Sequence, residues 1–375
     1  MKRILLALAV ALPAIPSSAD TFTTGRPEIK SMSALAFGPE GVLFVGDGKS
    51  AAVFAIDLGA RAAQAVKEPK EITDVEGKLA ALLGAAPADI MVHDLAVDPI
   101  AKRPYVAVSR GRAQWNMQWL LPNDVADATV LVRFDAEGRP EVVDLSSVRH
   151  ARVSLPDPVD AAKTVDWKKT SLRADTITDM AYADGSLYVA GLSNEEFAAS
   201  MWKVAYPFAG PVSVTTIENY HGAHGKYETE APVRTFVPYP LKGKTHLLAA
   251  YLCTPLVTFQ ASDLKDKQHV RGRTVGEFGS GNYPLDMVLV KAGGKDKLVI
   301  ANSNLPLMVV DPADVEAYEG TIDKHVETYT AGVRFQQRSG TGIQQMDNLG
   351  DEHVVMLRRL AGGRLDLTPM SVRRF

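Results

Sequence analysis

The feature that most constrains the fold of this chain is a degenerate repeat of β-strands. Each unit is an apolar strand, a turn with Gly, Pro or Asp, and a second β-rich strand; residues 178–182, 184–185 and 187–190 show the pattern. The unit recurs six times. Equivalent positions in the first strands are spaced by 60, 85, 56, 51 and 59 residues, and they are Ala34, Asp94, Asp179, Thr235, Asp286 and Gln345.

This period predicts an all-β protein, a β-propeller of six or seven four-stranded blades with long loops. A seventh blade would combine residues 21–29 with the C-terminal stretch and so close the ring. An antiparallel sandwich is the alternative architecture. Residues 74–84 differ from the rest, because they read as a short helix that Asp74 caps and Gly84 ends. We expect this helix to be an insertion between the first two blades.

The N-terminus has the pattern of a targeting segment. Lys2 and Arg3 precede an apolar run over residues 4–15, and small residues follow at 17–19. This pattern predicts a secretory signal peptide over 1–19, followed by one propeller domain over 20–375. The apolar run is too short for a stable membrane anchor. We therefore expect a periplasmic or secreted protein with no membrane span after cleavage.

Charge and cysteine content narrow the function classes. The net charge is −3, which disfavours a nucleic-acid-binding protein with a broad basic face. Cys253 is the only cysteine, so an intrachain disulfide is impossible. An exposed free thiol would be oxidised in the predicted compartment. Cys253 is therefore expected to be buried or bound to a ligand.

The repeat resembles the periplasmic propellers of the broad class that includes lactonase-like and amine-dehydrogenase-heavy-chain-like folds. The resemblance covers nearly the whole mature chain and consists of strand and turn patterns, so it implies a fold and transfers no catalytic residue. Lactonase-like members hold calcium with carboxylates and Asn at one mouth of the ring. Amine-dehydrogenase heavy chains support a separate subunit that carries a quinone.

Propeller geometry places several polar segments on one face. The second strand of a blade ends where the first begins, so the segments that follow second strands lie beside the loops that enter blades. We call this side the entry face. It should carry Asp94, Asp179 and Asp286, the loop over residues 220–230, and Cys253 after the second strand of the fourth unit.

The loop over 220–230 holds the strongest candidate for a metal centre. His221 and His224 are three residues apart beside glycines, and Glu228 and Glu230 follow. Two imidazoles and the Cys253 thiolate suit copper or zinc. Glu228 or Glu230 could be a further ligand or could orient a His. A hydrogen-bonded loop beside an inert buried Cys is the competing interpretation.

Three functions follow from these observations. The first is a copper-dependent, or less readily zinc-dependent, oxidoreductase on a small molecule, with a periplasmic redox protein as a further partner. The second is a non-enzymatic scaffold or binding partner of a redox protein. The third is a calcium-dependent lactonase-like hydrolase with oxygen ligands from Asp94, Asp179, Asp286, Asn194 or Asn302. For the first, the expected metal ligands are His221, His224 and Cys253, and the expected catalytic residues are Glu228, Glu230, Asp286 and Arg234.

Overall fold

A computed structural model shows six β-sheets arranged as the blades of a propeller. It describes residues 21–59, 66, 69–110, 113–115, 118–120, 128–165 and 170–375. The predicted signal peptide lies outside these residues and stays a prediction. No helix in the described ranges is long and apolar enough to cross a membrane.

The first three blades are built around the inner strands β2, β5 and β14. Blade 1 contains β2 (Ala34–Phe37), β3 (Leu43–Asp47), β4 (Ala52–Asp57), β11 (Val148–Ser154) and β1 (Thr23–Gly25); blade 2 contains β5 (Ile90–Val97), β6 (Pro104–Arg110), β9 (Thr129–Phe134) and β10 (Pro140–Val142); blade 3 contains β14 (Asp179–Ala183), β15 (Ser186–Leu192), β16 (Ala199–Ala205), β17 (Ser213–His221) and β18 (Lys226–Glu228), with β22 (His269–Arg271) parallel to β17.

The other three blades have β19, β24 and β29 as inner strands. Blade 4 contains β19 (Thr235–Leu241), β20 (Lys244–Ala250), β21 (Pro255–Gln260), β23 (Arg273–Phe278) and β27 (Thr330–Gly332); blade 5 contains β24 (Pro284–Ala292), β25 (Lys295–Asn302), β26 (Leu307–Val310) and β28 (Gln336–Arg338); blade 6 contains β29 (Ile343–Leu349), β30 (His353–Arg359) and β31 (Leu365–Ser371). Two short hairpins pair β7 (Ala113–Trp115) with β8 (Gln118–Leu120) and β12 (Thr164–Val165) with β13 (Thr170–Ser171).

The six-blade form of the prediction is confirmed in the described residues, and the helical insertion is confirmed with it. Strand β1 pairs with β11 at the outer edge of blade 1, so the N-terminal stretch adds to an existing blade. Helix α1 (Val75–Leu83) begins after Asp74, whose side chain accepts a hydrogen bond from the Gly77 amide, and ends at the left-handed Gly84. A second short helix, α2, spans Pro312–Ala317.

The blades do not follow chain order round the ring. Strand β2 contacts β5 on one side and β14 on the other, and β29 contacts β5 and β24. The order is therefore blade 2, 1, 3, 4, 5, 6, with blade 6 returning to blade 2. Six apolar clusters, one between each pair of neighbouring blades, follow the same order. On its way from blade 2 to blade 3 the chain contributes β11 to blade 1.

A backbone bridge between the segment before α1 and blade 6 helps to close the ring. Ile72 forms an isolated antiparallel bridge with Leu367 of β31, and each amide donates to the other's carbonyl oxygen at 2.8–2.9 Å. The segment before α1 thereby extends the three-stranded blade 6. Val75, Leu79 and Leu83 of α1 pack in the cluster between blades 2 and 6. The insertion therefore belongs to the closure of the ring.

Aspartates at the channel satisfy the free inner edges of neighbouring blades. Asp94 of blade 2 accepts the Leu35 amide of blade 1 at 2.6 Å, and Asp179 of blade 3 accepts the Phe236 amide of blade 4 at 2.8 Å. An inner strand has no further strand beside it, so its inward amides need other partners. These carboxylates supply them and tie blades together.

Two more carboxylates continue the pattern. Asp286 of blade 5 accepts the Met346 amide of blade 6, and Asp347 of blade 6 accepts the Val97 amide of blade 2, both at 2.6 Å. Each of the four aspartates also accepts the amide of the residue that follows it. We call Asp94, Asp179, Asp286 and Asp347 the aspartate ring.

Protein encloses the aspartate ring on most sides, and the four side chains are partly exposed toward the channel. This burial raises the pKa of Asp179 to about 7 and that of Asp347 to about 6, against the effect of their backbone hydrogen bonds. It raises the pKa of Asp94 and Asp286 well above the ordinary range, and charges on neighbouring aspartates add to the effect. The ring thus holds protons that free carboxyl groups would release.

Replacing Asp179 by Ala should destabilise the propeller. The variant leaves the amides of Met180 and Phe236 without their acceptor, and each unsatisfied buried group costs about 1–3 kcal/mol. Urea unfolding near pH ~5.5, where Asp179 is largely protonated, should show a loss of about 2–4 kcal/mol. The exposed turn variant Asp351→Ala is the control, and it should change stability by less than about 0.5 kcal/mol. Equal effects of the two variants would contradict the bridging role.

The raised pKa of Asp179 also predicts a pH dependence. Between the unfolded pKa of about 3.9 and the folded value of about 7, the native state binds more protons than the unfolded state. The contribution of Asp179 to the free energy of unfolding therefore falls as pH rises through this window. Subtracting the unfolding free energy of Asp179→Asn from that of the wild type should isolate the fall. A difference that stays flat or rises from pH 4 to 7 would oppose the assignment.

Candidate metal centre

The candidate metal centre is built on the hairpin that joins β17 and β18 at the entry face. His221 ends β17, and its carbonyl oxygen accepts the amides of His224 and Gly225 at 3.1 and 2.8 Å. Gly225 has a φ of +65°, a left-handed conformation that glycine adopts easily. The tight turn brings the two imidazoles together, with ring centroids 3.9 Å apart.

One carboxylate holds both imidazoles. Glu228 Oε2 lies 3.0 Å from Nδ1 of His221, and Oε1 lies 2.6 Å from Nδ1 of His224. Burial alone would raise the pKa of Glu228, but the hydrogen bonds and charges of the two His lower it to about 2. The carboxylate is therefore ionised and accepts from both Nδ1–H groups. This arrangement leaves Nε2 of each ring as the nitrogen with an available lone pair.

Nε2 of His221 is the atom in this cluster whose environment is incomplete. The side chain is 1% exposed, and Nε2 is buried without a hydrogen-bond partner among the described residues. Buried polar atoms almost always have a partner, so an orphan atom indicates a missing ligand, ion or water. The other imidazole, His224, is 44% exposed and leaves one side of the cluster open to solvent.

Cys253 completes the group from the neighbouring blade. It lies in the turn between β20 and β21, in a left-handed conformation with φ of 62°, and its amide donates to the Asn282 carbonyl at 2.8 Å. One ligand atom from each of His221, His224 and Cys253 lies within 4.8 Å of the others. Across the described residues, this is the one grouping of three or more His, Cys, Asp or Glu close enough to share a metal ion.

Two further buried residues lie beside the hairpin, and one of them, Glu277, was not found from the sequence. Glu277 on β23 is 2% exposed, and its Oε1 accepts the Gly222 amide at 2.5 Å. Burial raises the pKa of Glu277, opposed by the charge of His221 and the amide bond. Tyr251 is fully buried, its hydroxyl has no partner among the described residues, and burial and the Glu228 charge raise its pKa. An acid in the otherwise apolar run 275–278 was the available signal for Glu277.

The expected catalytic residues do not all lie here. Glu228 is in the cluster, as its contact with both His shows, and Glu230 is exposed two residues beyond it. Asp286, expected beside the metal, lies on inner strand β24, where its carboxylate accepts the Met346 amide of blade 6. Arg234 donates to Asp175 at 3.2 Å and lines the mouth of the channel. Asp286 lies on an inner strand and Arg234 directly precedes one, whereas His221 ends an outer strand.

The residues of the calcium alternative have structural partners. Asp94, Asp179 and Asp286 each use both carboxylate oxygens for backbone amides. Asn302 is buried in a network in which its Oδ1 accepts from Asn282 at 2.8 Å. Asn194 lies exposed in the loop after β15. These contacts account for Asp94, Asp179, Asp286 and Asn302 through the fold.

Comparison with known proteins adds no functional assignment. No protein-family model and no curated protein sequence matches the chain. A solved structure, Kuenenia stuttgartiensis hydrazine synthase, is similar at 10% identity and a TM-score of 0.39, over 98% of this chain and 100% of that chain. A likeness at that level carries no argument about activity. The assignment as a propeller is supported by the arrangement of the blades.

Replacing Glu228 by Gln should loosen the hairpin. An amide can accept from one Nδ1–H group, and its NH2 group would oppose the other donor. Loss of a charged acceptor of two hydrogen bonds predicts a decrease of about 1–3 kcal/mol in the free energy of unfolding, measured without added metal. Glu230→Gln is the matched control and should change it by less than about 0.5 kcal/mol. Equal stability of both variants would show that the hydrogen bonds from His221 and His224 to Glu228 do not stabilise the hairpin.

Proposed function

We propose that this protein is a periplasmic oxidoreductase that acts on a small molecule with a copper ion held by His221, His224 and Cys253. The location follows from the predicted signal peptide. A periplasmic redox protein is the proposed partner for exchange of electrons. The lone cysteine fits this proposal, because a metal-bound thiolate is protected from the oxidation that a free exposed thiol would undergo.

The observation that carries the proposal is the pair of oriented imidazoles with an orphan nitrogen. Glu228 fixes both rings through Nδ1, the carboxylate–histidine arrangement that orients metal ligands in proteins. The buried Nε2 of His221 has no partner, and the Cys253 sulfur lies close by. The residues present therefore fit a metal ion.

The donor set favours copper over zinc. Two His and one Cys are the equatorial ligands typical of copper sites with redox activity, whereas structural zinc sites use four protein ligands. The exposed side of His224 offers a route to an open coordination position. When bound there, copper would supply one-electron redox chemistry next to solvent. Zinc would supply activated water, and metal analysis distinguishes the two.

The chain's own residues would tune and support this chemistry. The Gly281 amide donates to Sγ of Cys253 at 3.4 Å, a contact that stabilises negative charge on sulfur. Glu228 keeps both imidazoles in the tautomer that leaves Nε2 deprotonated. Glu230 is the exposed acid nearest in sequence and is proposed to exchange protons with solvent at the open side.

Metal content tests the proposal directly. Protein purified from the periplasm should contain about one equivalent of copper by elemental mass spectrometry, and His221→Ala and Cys253→Ser should each lose most of it. His246→Ala is the control, since that imidazole bonds to the Lys244 carbonyl at the opposite end of its blade. It should retain the metal.

The other outcomes separate the alternatives. Stoichiometric zinc in the wild type, lost in the same variants, would keep the site and remove the redox assignment. Calcium that is retained in both site variants would favour the lactonase-like hydrolase. If the wild type retains no metal after incubation with excess copper and removal of the unbound ion, the scaffold function is favoured.

A further inference from the structure

A second site lies at the centre of the entry face, over the channel. A cavity of about 1330 Å³ opens there, where the segments entering the blades converge. It is large enough for a ligand of moderate size, because small-molecule pockets occupy about 300–1,000 Å³. None of the residues of the candidate metal centre lines it.

One arc of the cavity wall is cationic. Lys49 of blade 1, Arg173 at the entrance to blade 3 and Arg234 at the entrance to blade 4 line it on adjacent blades. Arg173 donates to the backbone carbonyl oxygens of Lys49 and Val159, which position its guanidinium without neutralising the charge. We call these three residues the cationic arc.

The cavity has a local excess of positive charge although the whole chain carries −3. Among the lining residues that the structure describes, four lysine or arginine side chains lie against two acids. One acid, Asp175, pairs with Arg234 at 3.2 Å, and the other, Glu76, is engaged by both terminal nitrogens of Arg359 at 2.8 and 3.0 Å. Burial lowers the pKa of Lys49, and the charge of nearby Asp47 opposes this effect. Below the cavity, the raised pKa of Asp94 and Asp286 limits the opposing negative charge.

The remaining wall and the floor differ in character. Blade 2 and the turn before it contribute an apolar wall from Pro87, Ala88, Met91 and Val92. At the floor, the side-chain amide of Gln345, with its nitrogen turned to the channel, lies 2.9 Å from Asp94 Oδ1 and 3.1 Å from Asp286 Oδ2. A neutral amide therefore caps the aspartate ring. The cavity combines a cationic side, an apolar side and a polar neutral floor.

We propose that this cavity binds an amphipathic organic carboxylate, with its carboxylate group on the cationic arc and its apolar body against blade 2. Arginine forks match the two oxygens of a carboxylate and form charge-assisted hydrogen bonds with them. The separation of charged and apolar surface in the cavity favours such a ligand over inorganic phosphate, because phosphate has no apolar part to pack against the blade 2 wall. The site is separate from the metal centre.

Calorimetric titration of the purified full chain tests the site with defined probes. These are linear C4–C10 monocarboxylates, phenyl-substituted carboxylates of similar length, the amide of each, and inorganic phosphate. We expect at least one carboxylate to bind below about 1 mM and its amide at least about tenfold more weakly. Arg173→Gln and Arg234→Gln should each weaken that carboxylate about tenfold. Arg152→Gln, an exposed arginine on β11, should not.

A charge change in the opposite direction separates binding from mere folding. Asp175→Asn removes the acid that competes for Arg234, so it should tighten carboxylate binding several-fold, which a loss of structure would not do. His221→Ala should leave binding unchanged whether or not the metal proposal holds. Binding of none of the carboxylates, or binding insensitive to both arc variants Arg173→Gln and Arg234→Gln, would overturn the proposal. Phosphate binding as tight as the best carboxylate would replace it with an inorganic-anion site.

Discussion

The unpaired inner edge of each blade is the constraint on which this propeller depends. A blade ends at the channel with a strand that has a partner on one side, so its inward amides need acceptors from elsewhere. Asp94, Asp179, Asp286 and Asp347 meet that need at four of the six inner strands, in blades 1, 4, 6 and 2, each from a neighbouring blade. The cost of placing carboxyl groups there appears in their raised pKa values. Hydrogen bonding across blades therefore couples protonation to the integrity of the ring.

The strands, the turns and the helix at 75–83 could be predicted because they depend on local signals. Alternating apolar residues, Gly and Asp in turns, and the Asp74 and Gly84 caps act within a few residues of one another. The order of the blades round the ring could not be predicted from such local signals. Whether blade 3 packs on blade 1 or blade 2 depends on how two apolar surfaces from distant segments fit, and a repeat leaves those surfaces alike in character.

The candidate site shows the same division. His221, His224 and Cys253 were predicted to share the entry face, because strand alternation fixes the end of the blade at which each lies. Strand alternation does not fix the distance from the channel axis, so it could not show that Asp286 lies on an inner strand and His221 on an outer one. The role of Glu228 as the acceptor for both imidazoles depends on a turn whose shape Gly225 and the buried Glu277 set together.

The exchanged order of the first two blades has a consequence for how the ring can be assembled and divided. Blade 1 gains β11 only after the chain has passed through blade 2, so no cut between these two leaves a finished sheet. During synthesis, the outer edge of β4 waits for a partner that is encoded after an entire neighbouring blade. Blades 1 and 2 can therefore be gained or lost only together. Blades 3, 4 and 5 are linked in a similar way, because β22 lies within the segment of blade 4 and pairs with blade 3, and β27 lies within the segment of blade 5 and pairs with blade 4. Loss or duplication of one of these blades alone would therefore also remove or duplicate a strand of its neighbour.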